Sequence, residues 1–569
     1  MQENKFVKNL VSKMTLEQKV GAVLTLGFAG NVIRPHIYEY IEKYHCGGFR
    51  LSPNSRTFGS YVDPETGHVV VKLGNIDGYK KGVEPPYVTG AQYKEVLDKL
   101  QKCAMNRRLG IPLHFSTDQE GGSSAAIRTG GYQLFPKPMG LRATGDSKLA
   151  YEVARAIARQ MKSAGINWLH SPVLDINSNP DNPSINTRAY SDRVEEVIEY
   201  ARQTCIGFKE GKLIAAAKHF PGDGGSGRDG HYGITVVHFD KETILNREIQ
   251  PYRVLIKEGL LPSIMSCHVL YPALDEEYVG TLSKRILTGI LREELGFEGV
   301  ITTDSMTMGA IAVKYSVPVA CAMSLAAGAD LVLMKAENEL VDQTFNTILR
   351  YVEEGKLPEK ELDQKVYRAL KMKYDYGLFT NGNLYHETPE EVAKDEKITL
   401  LSKIVAQKSV LVARNRSNLL PLPENEKILV IEQMNTGAND AYWHHGILYE
   451  NCLKYNKKVS YLETSYSYDE EDKERIKKAV SQNDTIVITN FYKRGTKSNT
   501  RFVEEILKDK SKKFVLIANT PYKLNIPDEA DNVIVSFATT PCNMEVVAGV
   551  LFGKIQPEGE WPVQYWPGD

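Results

Sequence analysis

The chain has 569 residues, more than one hydrophobic core organises, so two or three domains are expected. With 42 % hydrophobic and 25 % charged residues it has the balance of a soluble globular protein. Its 70 basic and 71 acidic residues leave a formal net charge of −1, which argues against nucleic acid or an anionic membrane as the main partner, because both select a basic surface.

From about residue 20 to 335, short apolar runs alternate with amphipathic stretches. The runs are GAVLTLGF (21–28), GGFRLS (47–52), PLHFSTD (112–118), INWLHSPVLDI (166–176), LIAAAKHF (213–220), PSIMSCHV (262–269), GVITTDSM (299–306) and ADLVLM (329–334). Runs of this kind suit strands buried on both faces, as in a parallel sheet. Between them lie helical patterns such as 149–165 and 194–211, each ending in glycine, a helix-stop signal. Eight such units predict a (β/α)8 TIM-type barrel over 1–375. Residues 53–90 interrupt the second unit with a Gly- and Pro-rich insertion in which DPETGHVVV reads as a small hairpin. Residues 376–400 read as a linker. Residues 401–569 then read as a smaller α/β sandwich domain, with a helix over 398–412 and strands at 427–433, 484–491, 513–519 and 531–537.

Other signals are weaker. The basic run KDKSKK (508–513) reads as a solvated helix end. Seven cysteines, odd in number and without a CxxC pair, read as reduced thiols. The first ten residues lack the apolar core of a secretion signal, and no run approaches the ~18 apolar residues of a membrane span. A cytoplasmic location is therefore expected, and the oligomeric state is left open. Spacing of the HExxH kind, GxGxxG and Walker loops are all missing, so neither a metal nor a nucleotide cofactor is expected. Adjacent His444 and His445 read as part of a surface or interface loop, in which Trp443 is a natural platform for a sugar ring.

Asp118, Asp175, Lys218, His219, His268 and Asp304 all fall at or just after predicted strand ends. In a parallel barrel those ends converge on one mouth, where active sites form. The most informative segment is KHFPGDGGSGRDGH (218–231), which continues from a strand into a loop with five glycines. Such a loop is entropically costly to order, so the backbone is expected to bend sharply and approach a ligand. Asp229 and His231 are two apart, a spacing that lets the carboxylate orient the imidazole and raise its basicity for proton transfer. A solvated Asp and His is the commoner meaning of that spacing alone. In TTDSM (302–306), Asp304 follows an apolar strand; a lone strand-end Asp more often caps a helix, but beside the Asp/His loop a nucleophilic role is favoured.

Together these segments resemble glycoside hydrolase family three, in its β-N-acetylglucosaminidase branch. MTLEQKVG (14–21), DQEGG (118–122) and NPSINTRAYS (182–191) add to the resemblance, which covers the barrel nearly end to end. It implies a retaining exo-β-N-acetylglucosaminidase in which Asp304 forms a covalent glycosyl-enzyme. His231, held by Asp229, would act as acid/base where most retaining glycosidases use a second carboxyl. It also implies a sugar subsite made of Asp118, Arg188, Lys218 and His219, with Met306 beside the nucleophile, and peptidoglycan turnover as the default setting. The family's β-glucosidases usually carry Ser-Asp-Trp at the nucleophile, where this chain has Thr303-Asp304-Ser305, and lack the Asp-x-His loop. Many relatives read Gly-His-Gly-Asp-Thr where this chain reads Gly222-Asp223-Gly224-Gly225-Ser226, so Asp223 puts a carboxylate in place of an imidazole. Phosphorolysis, β-glucosidase activity and a catalytically silent sugar-binding barrel stand as alternatives.

Overall fold

The computed structural model describes residues 4–53, 88–122, 124–128, 130–230, 233–380, 387–433, 446–494 and 498–565, and the backbone alone of 58–62 and 69–73. Eight parallel strands succeed one another in chain order around one sheet. They are β1 (Leu24–Ala29), β2 (Gly48–Ser52), β3 (His114–Thr117), β4 (Trp168–Leu169), β5 (Ile214–Phe220), β6 (Ser263–Ser266), β7 (Val300–Thr303) and β8 (Val332–Met334). β1 pairs with β8 in parallel register, and a parallel bridge from Thr302 to Leu331 joins β7 to β8. The result is the expected TIM-type barrel, and its apolar strands hold because both faces are covered: all seven residues of β5 are buried.

Local chemistry sets the surrounding helices. Thr15 and Thr89 each close a reciprocal capping box with a glutamine three residues on, satisfying two otherwise orphaned N–H groups at the helix start. Asp146 caps the long helix Ser147–Ser163, which packs along Val194–Glu210. β4 is far shorter than the run 166–176 predicts. Pro172 has no N–H to give the ladder, and pairing resumes only as a bridge between Val173 and Lys218. In the 53–90 insertion, Phe58–Val62 pairs antiparallel with Val69–Leu73, a hairpin whose first strand lies ahead of the DPETGHVVV stretch read as one.

The chain then builds a second, six-stranded sheet. Its strands are β9 (Leu411–Asn415), β10 (Ile428–Gln433), β11 (Val459–Thr464), β12 (Thr485–Asn490), β13 (Lys513–Ala518) and β14 (Asn532–Val535). The order is β9-β14-β13-β12-β10-β11, parallel except for the antiparallel β9 edge. Alternate residues face two separate apolar layers: Leu429, Ile431, Ile486 and Ile488 on one side, Ile428, Val430 and Val487 on the other. This is the period-two pattern of a sheet covered on both faces. The helix expected over 398–412 ends at Ser409, and Val410 turns the chain extended into β9, where Leu411 and Val412 pair with β14. Helices Pro389–Ala393 and Glu396–Ser409 occupy the stretch before it, each with an N-cap side chain. In the basic run, Lys510 pairs with Asp531 and Lys512 with Asp484.

The second sheet docks on the barrel through the loop after β4. Asn177 donates to the Tyr522 hydroxyl at 2.8 Å, Thr520 donates to Asn186 Oδ1 at 2.8 Å, and Ser191 donates to the Pro562 carbonyl at 2.6 Å. Tyr492, just past β12, donates to the Pro183 carbonyl. These bonds set the loop after β12 over the barrel mouth.

Candidate active site

A cavity of about 810 Å³ opens at the carboxyl ends of the barrel strands, a volume ordinary for small-molecule sites. Asp118, Arg188, Lys218, His219, Asp229 and Asp304 all line it. Met306 does not: its side chain is fully buried, and its backbone N–H bonds the Leu333 carbonyl at 2.9 Å. Met308, two residues on, lines the cavity instead. His231, Trp443, His444 and His445 lie outside the described residues.

Asp304 sits one residue beyond β7. Its N–H bonds the Ser266 carbonyl of β6 at 3.2 Å, and its Oδ1 accepts the Ser305 N–H at 2.6 Å. Burial works against its ionisation, but His268, His219, the Ser305 N–H and Lys218 outweigh it and hold the carboxyl below the usual carboxylate range. His268 is itself fixed by Thr281 Oγ1 at 2.9 Å and the Ser305 carbonyl at 3.1 Å. An ionised, oriented carboxylate therefore faces the cavity.

The floor of the cavity is an ion-pair network. Lys218 Nζ lies 2.8 Å from Asp118 and 2.5 Å from Glu120. Arg188 grips Glu120 with Nε at 2.7 Å and Nη2 at 2.9 Å, the two-pronged geometry that makes such pairs strong. Arg50 pairs with Asp118. Burial opposes the charge on Asp118, yet Lys218 and Arg50 hold it well below the usual carboxylate range. The same contest, with Arg188 and Lys218 as the cations, keeps Glu120 below that range too. Both carboxylates are thus committed acceptors and cannot serve as proton donors near neutral pH.

His219 donates from Nδ1 to Asp175 Oδ2 at 2.6 Å, and its Nε2 faces Arg188 Nη2 at 3.4 Å. These partners select the Nδ1–H tautomer. Asp175 also accepts the His219 and Asp223 N–H groups, at 3.3 and 2.6 Å. His170 completes the wall. Burial pushes its pKa down to about 3, keeping it neutral, and its Nε2 has no hydrogen-bond partner among the described residues.

Asp223 hangs from the glycine-rich loop and takes a hydrogen bond from Ser226. Burial, then the neighbouring Asp175 carboxylate, raise its pKa to about 7. The loop's glycines divide by role. A Cβ on Gly224 would stand 1.6 Å from the Ile176 carbonyl oxygen, whereas one on Gly227 would meet nothing within 4 Å. The close approach is to the neighbouring barrel loop rather than to a ligand. Asp229, further along, is nearly buried, and the second domain's Arg494 reaches it, Nε to Oδ2 at 3.6 Å.

Sequence reasoning missed Glu120, Arg50, His170, Lys335 and the trio Tyr492, Lys493 and Arg494, all of which line the cavity. Glu120 carried a usable signal: two residues beyond Asp118 in extended chain, it falls on the same face. Among the described residues no group of three or more His, Cys, Asp or Glu is arranged to hold a metal ion, and no helix is long and apolar enough to cross a membrane.

Residues 65–372 match the glycosyl hydrolase family 3 N terminal domain. The chain is 27 % identical over 452 residues to β-hexosaminidase A of Pseudoalteromonas piscicida, covering 74 % of this chain and 72 % of that protein. It is 29 % identical over 281 residues to a β-hexosaminidase of Bordetella parapertussis, covering 47 % of this chain and 79 % of the relative. Among solved structures, a glycoside hydrolase family 3 β-N-acetylglucosaminidase from Paenibacillus sp. str. FPU-7 superposes with a TM-score of 0.86 at 27 % identity, covering 97 % of this chain and 99 % of that one.

Proposed function

Because the chain belongs to glycosyl hydrolase family 3 and is a glycoside hydrolase, we propose that it removes terminal β-linked N-acetylglucosamine with retention of configuration. Asp304 attacks the anomeric carbon, the glycosidic C–O bond breaks, and His231 protonates the departing oxygen. His231 then takes a proton from water as that water displaces Asp304. The observation that carries this reading is the state of the carboxylates. Asp304 is ionised and faces the cavity, whereas Asp118 and Glu120 are tied to cations and have no proton to give; Asp223, the cavity carboxyl whose pKa rises to about 7, is tied back within its own loop by the Ser226 hydroxyl. A retaining glycosidase needs a second, protonatable group. The Asp229 loop supports His231 in that role, because Asp229 lines the same cavity as Asp304. Asp118, Lys218, Arg188 and His219 supply the donors and acceptors for the sugar's hydroxyls and acetamido group. The relatives' activities on hexosaminides support N-acetylglucosamine as the sugar. Seven free thiols agree with a cytoplasmic setting, where fragments of peptidoglycan are the proposed source of substrate.

The test is a screen of aryl glycosides (N-acetylglucosamine, N-acetylgalactosamine, glucose, xylose) followed by trapping with an activated fluorosugar and peptide mapping. The expected result is N-acetylglucosaminide turnover, a sugar adduct on Asp304, and a loss of at least ~10³-fold in kcat for Asp304→Ala. An adduct on another residue overturns the assignment of the nucleophile.

A further inference from the structure

The charge lining the cavity does not match the chain that carries it. Among the described residues, eight lysines and arginines line the cavity against five carboxylates, in a chain whose net charge is −1. Most of these charges have partners. Arg50 is held by Asp118, Lys218 by Asp118 and Glu120, and Arg188 by Glu120. Arg494 leans on Asp229. Lys335 stands apart. It follows β8 directly and is exposed into the cavity, and no hydrogen bond or ion pair to a described residue engages its ammonium.

Its setting makes that isolation costly. Arg50 first, then burial, and also Arg494, oppose its charge and bring its pKa down to about 8, with Asp118 and Asp304 acting the other way. Both domains contribute cations to this one cavity, Lys335 from the barrel and Arg494 from the loop after β12. Like charges gathered in a concave, partly desolvated site are relieved by a bound anion. Arg494 also fixes which side of the site is involved, because it touches Asp229, in the loop the proposed function assigns to the leaving-group proton.

We infer that Lys335 and Arg494 form an anion subsite on the leaving-group side of the cavity, taking a carboxylate- or phosphate-sized oxyanion. The oxyanion is either a substituent of the aglycone or free inorganic phosphate. Lys335 supplies a mobile point charge and Arg494 a planar fork. The inference rests on the glycosidase reading for its placement and gives the second domain a part in choosing the substrate. It also explains a cationic mouth on a chain otherwise neutral.

The experiment compares a neutral aryl N-acetylglucosaminide with its 4-carboxyphenyl counterpart in wild type, Lys335→Gln, Arg494→Gln and the charge-keeping Lys335→Arg. The readout is the ratio of kcat/KM for the charged over the neutral substrate, so any general loss of folding or catalysis cancels. If the aglycone supplies the anion, the ratio falls about tenfold in Lys335→Gln and in Arg494→Gln and stays near wild type in Lys335→Arg. If phosphate supplies it, the ratio is flat. Calorimetry with inorganic phosphate then shows binding to wild type that weakens about tenfold in Lys335→Gln. A flat ratio together with no phosphate binding, or binding unchanged in both Gln variants, overturns the subsite. Failure of the glycosidase reading shows differently, as no turnover of either aryl glycoside by wild type, and calorimetry with phosphate still decides the subsite.

Discussion

Glu120→Gln is the sharpest probe of how the cavity floor is held. The Glu120 side chain is only 2 % exposed and accepts from Arg188 twice and from Lys218 once. The glutamine keeps the shape but removes the charge, and its amide nitrogen turns a donor towards a donor. Arg188 and Lys218 are then left facing one another with Asp118 as the main remaining counter-ion. Breaking a buried pair from one side costs ~3–5 kcal/mol, mostly because the surviving charge is uncompensated. For a cooperative unit of roughly 350 residues the unfolding entropy near the midpoint is about 0.7 kcal/mol/K, so ~4 kcal/mol lowers the apparent Tm by about 6 °C. Calorimetry at two scan rates measures it, with kcat/KM for an aryl glycoside alongside, which falls because Arg188 and Lys218 lose their orientation. The double variant Glu120→Gln/Arg188→Gln supplies the control: removing the stranded cation makes the combined loss smaller than the sum of the single losses by ~1–3 kcal/mol. A Tm within ~1 °C of wild type in Glu120→Gln, or strict additivity in the double variant, refutes the view that Glu120 acts by compensating buried charge.

Two further outcomes follow from the glycine-rich loop. Asp223 has a folded-state pKa of about 7 against an ordinary 3.8. A raised pKa stabilises the fold fully at low pH, and that stability is lost as pH rises through the window from about 4 to about 7, with a ceiling of ~4 kcal/mol. Asp223→Asn, which can still accept from Ser226, therefore gains on wild type above pH 7 and matches it near pH 4. Glu248, raised to about 7 by its own burial, keeps part of the pH dependence in the variant. Thermal midpoints between pH 4 and pH 8 decide it, and parallel curves count against the assignment. Gly224→Ala drives a Cβ into the Ile176 carbonyl, whereas Gly227→Ala meets open space. The first loses activity and at least ~1–3 kcal/mol of stability, and the second stays within ~1 kcal/mol; equal behaviour in melting and turnover would show that the loop does not rest on that contact.

The sequence announced some of this architecture far better than the rest, for physical reasons. Barrel strands buried on both faces leave nearly unbroken apolar runs, so β5 and β7 stand out without any structure. β11 does not: VSYLET is an edge strand with only its first and last residues buried, and it carries no such run. The helix expected over 398–412 overran into β9 because an apolar stretch has no period of its own, and only the partner strand β14 turns Leu411 and Val412 into sheet. The same divide runs through the site. Asp118, Arg188, Lys218, His219, Asp229 and Asp304 are strand-end or loop residues whose neighbours in sequence mark them, and one cavity collects them. Lys335 obeys the same strand-end geometry but follows an apolar run as a lone lysine, which in a sequence looks like any solvated helix entry. Arg494 carries no local signal at all. It lies more than 250 residues from Asp229, and it reaches the cavity only because Asn177, Asn186 and Pro183 of the barrel bind Tyr522, Thr520 and Tyr492 of the second sheet. The groups proposed to hold or attack the sugar belong to the barrel and are written in its strand ends. The group proposed to discriminate among leaving groups from the second domain is written in the docking surface between two domains, and so becomes readable only once both are folded.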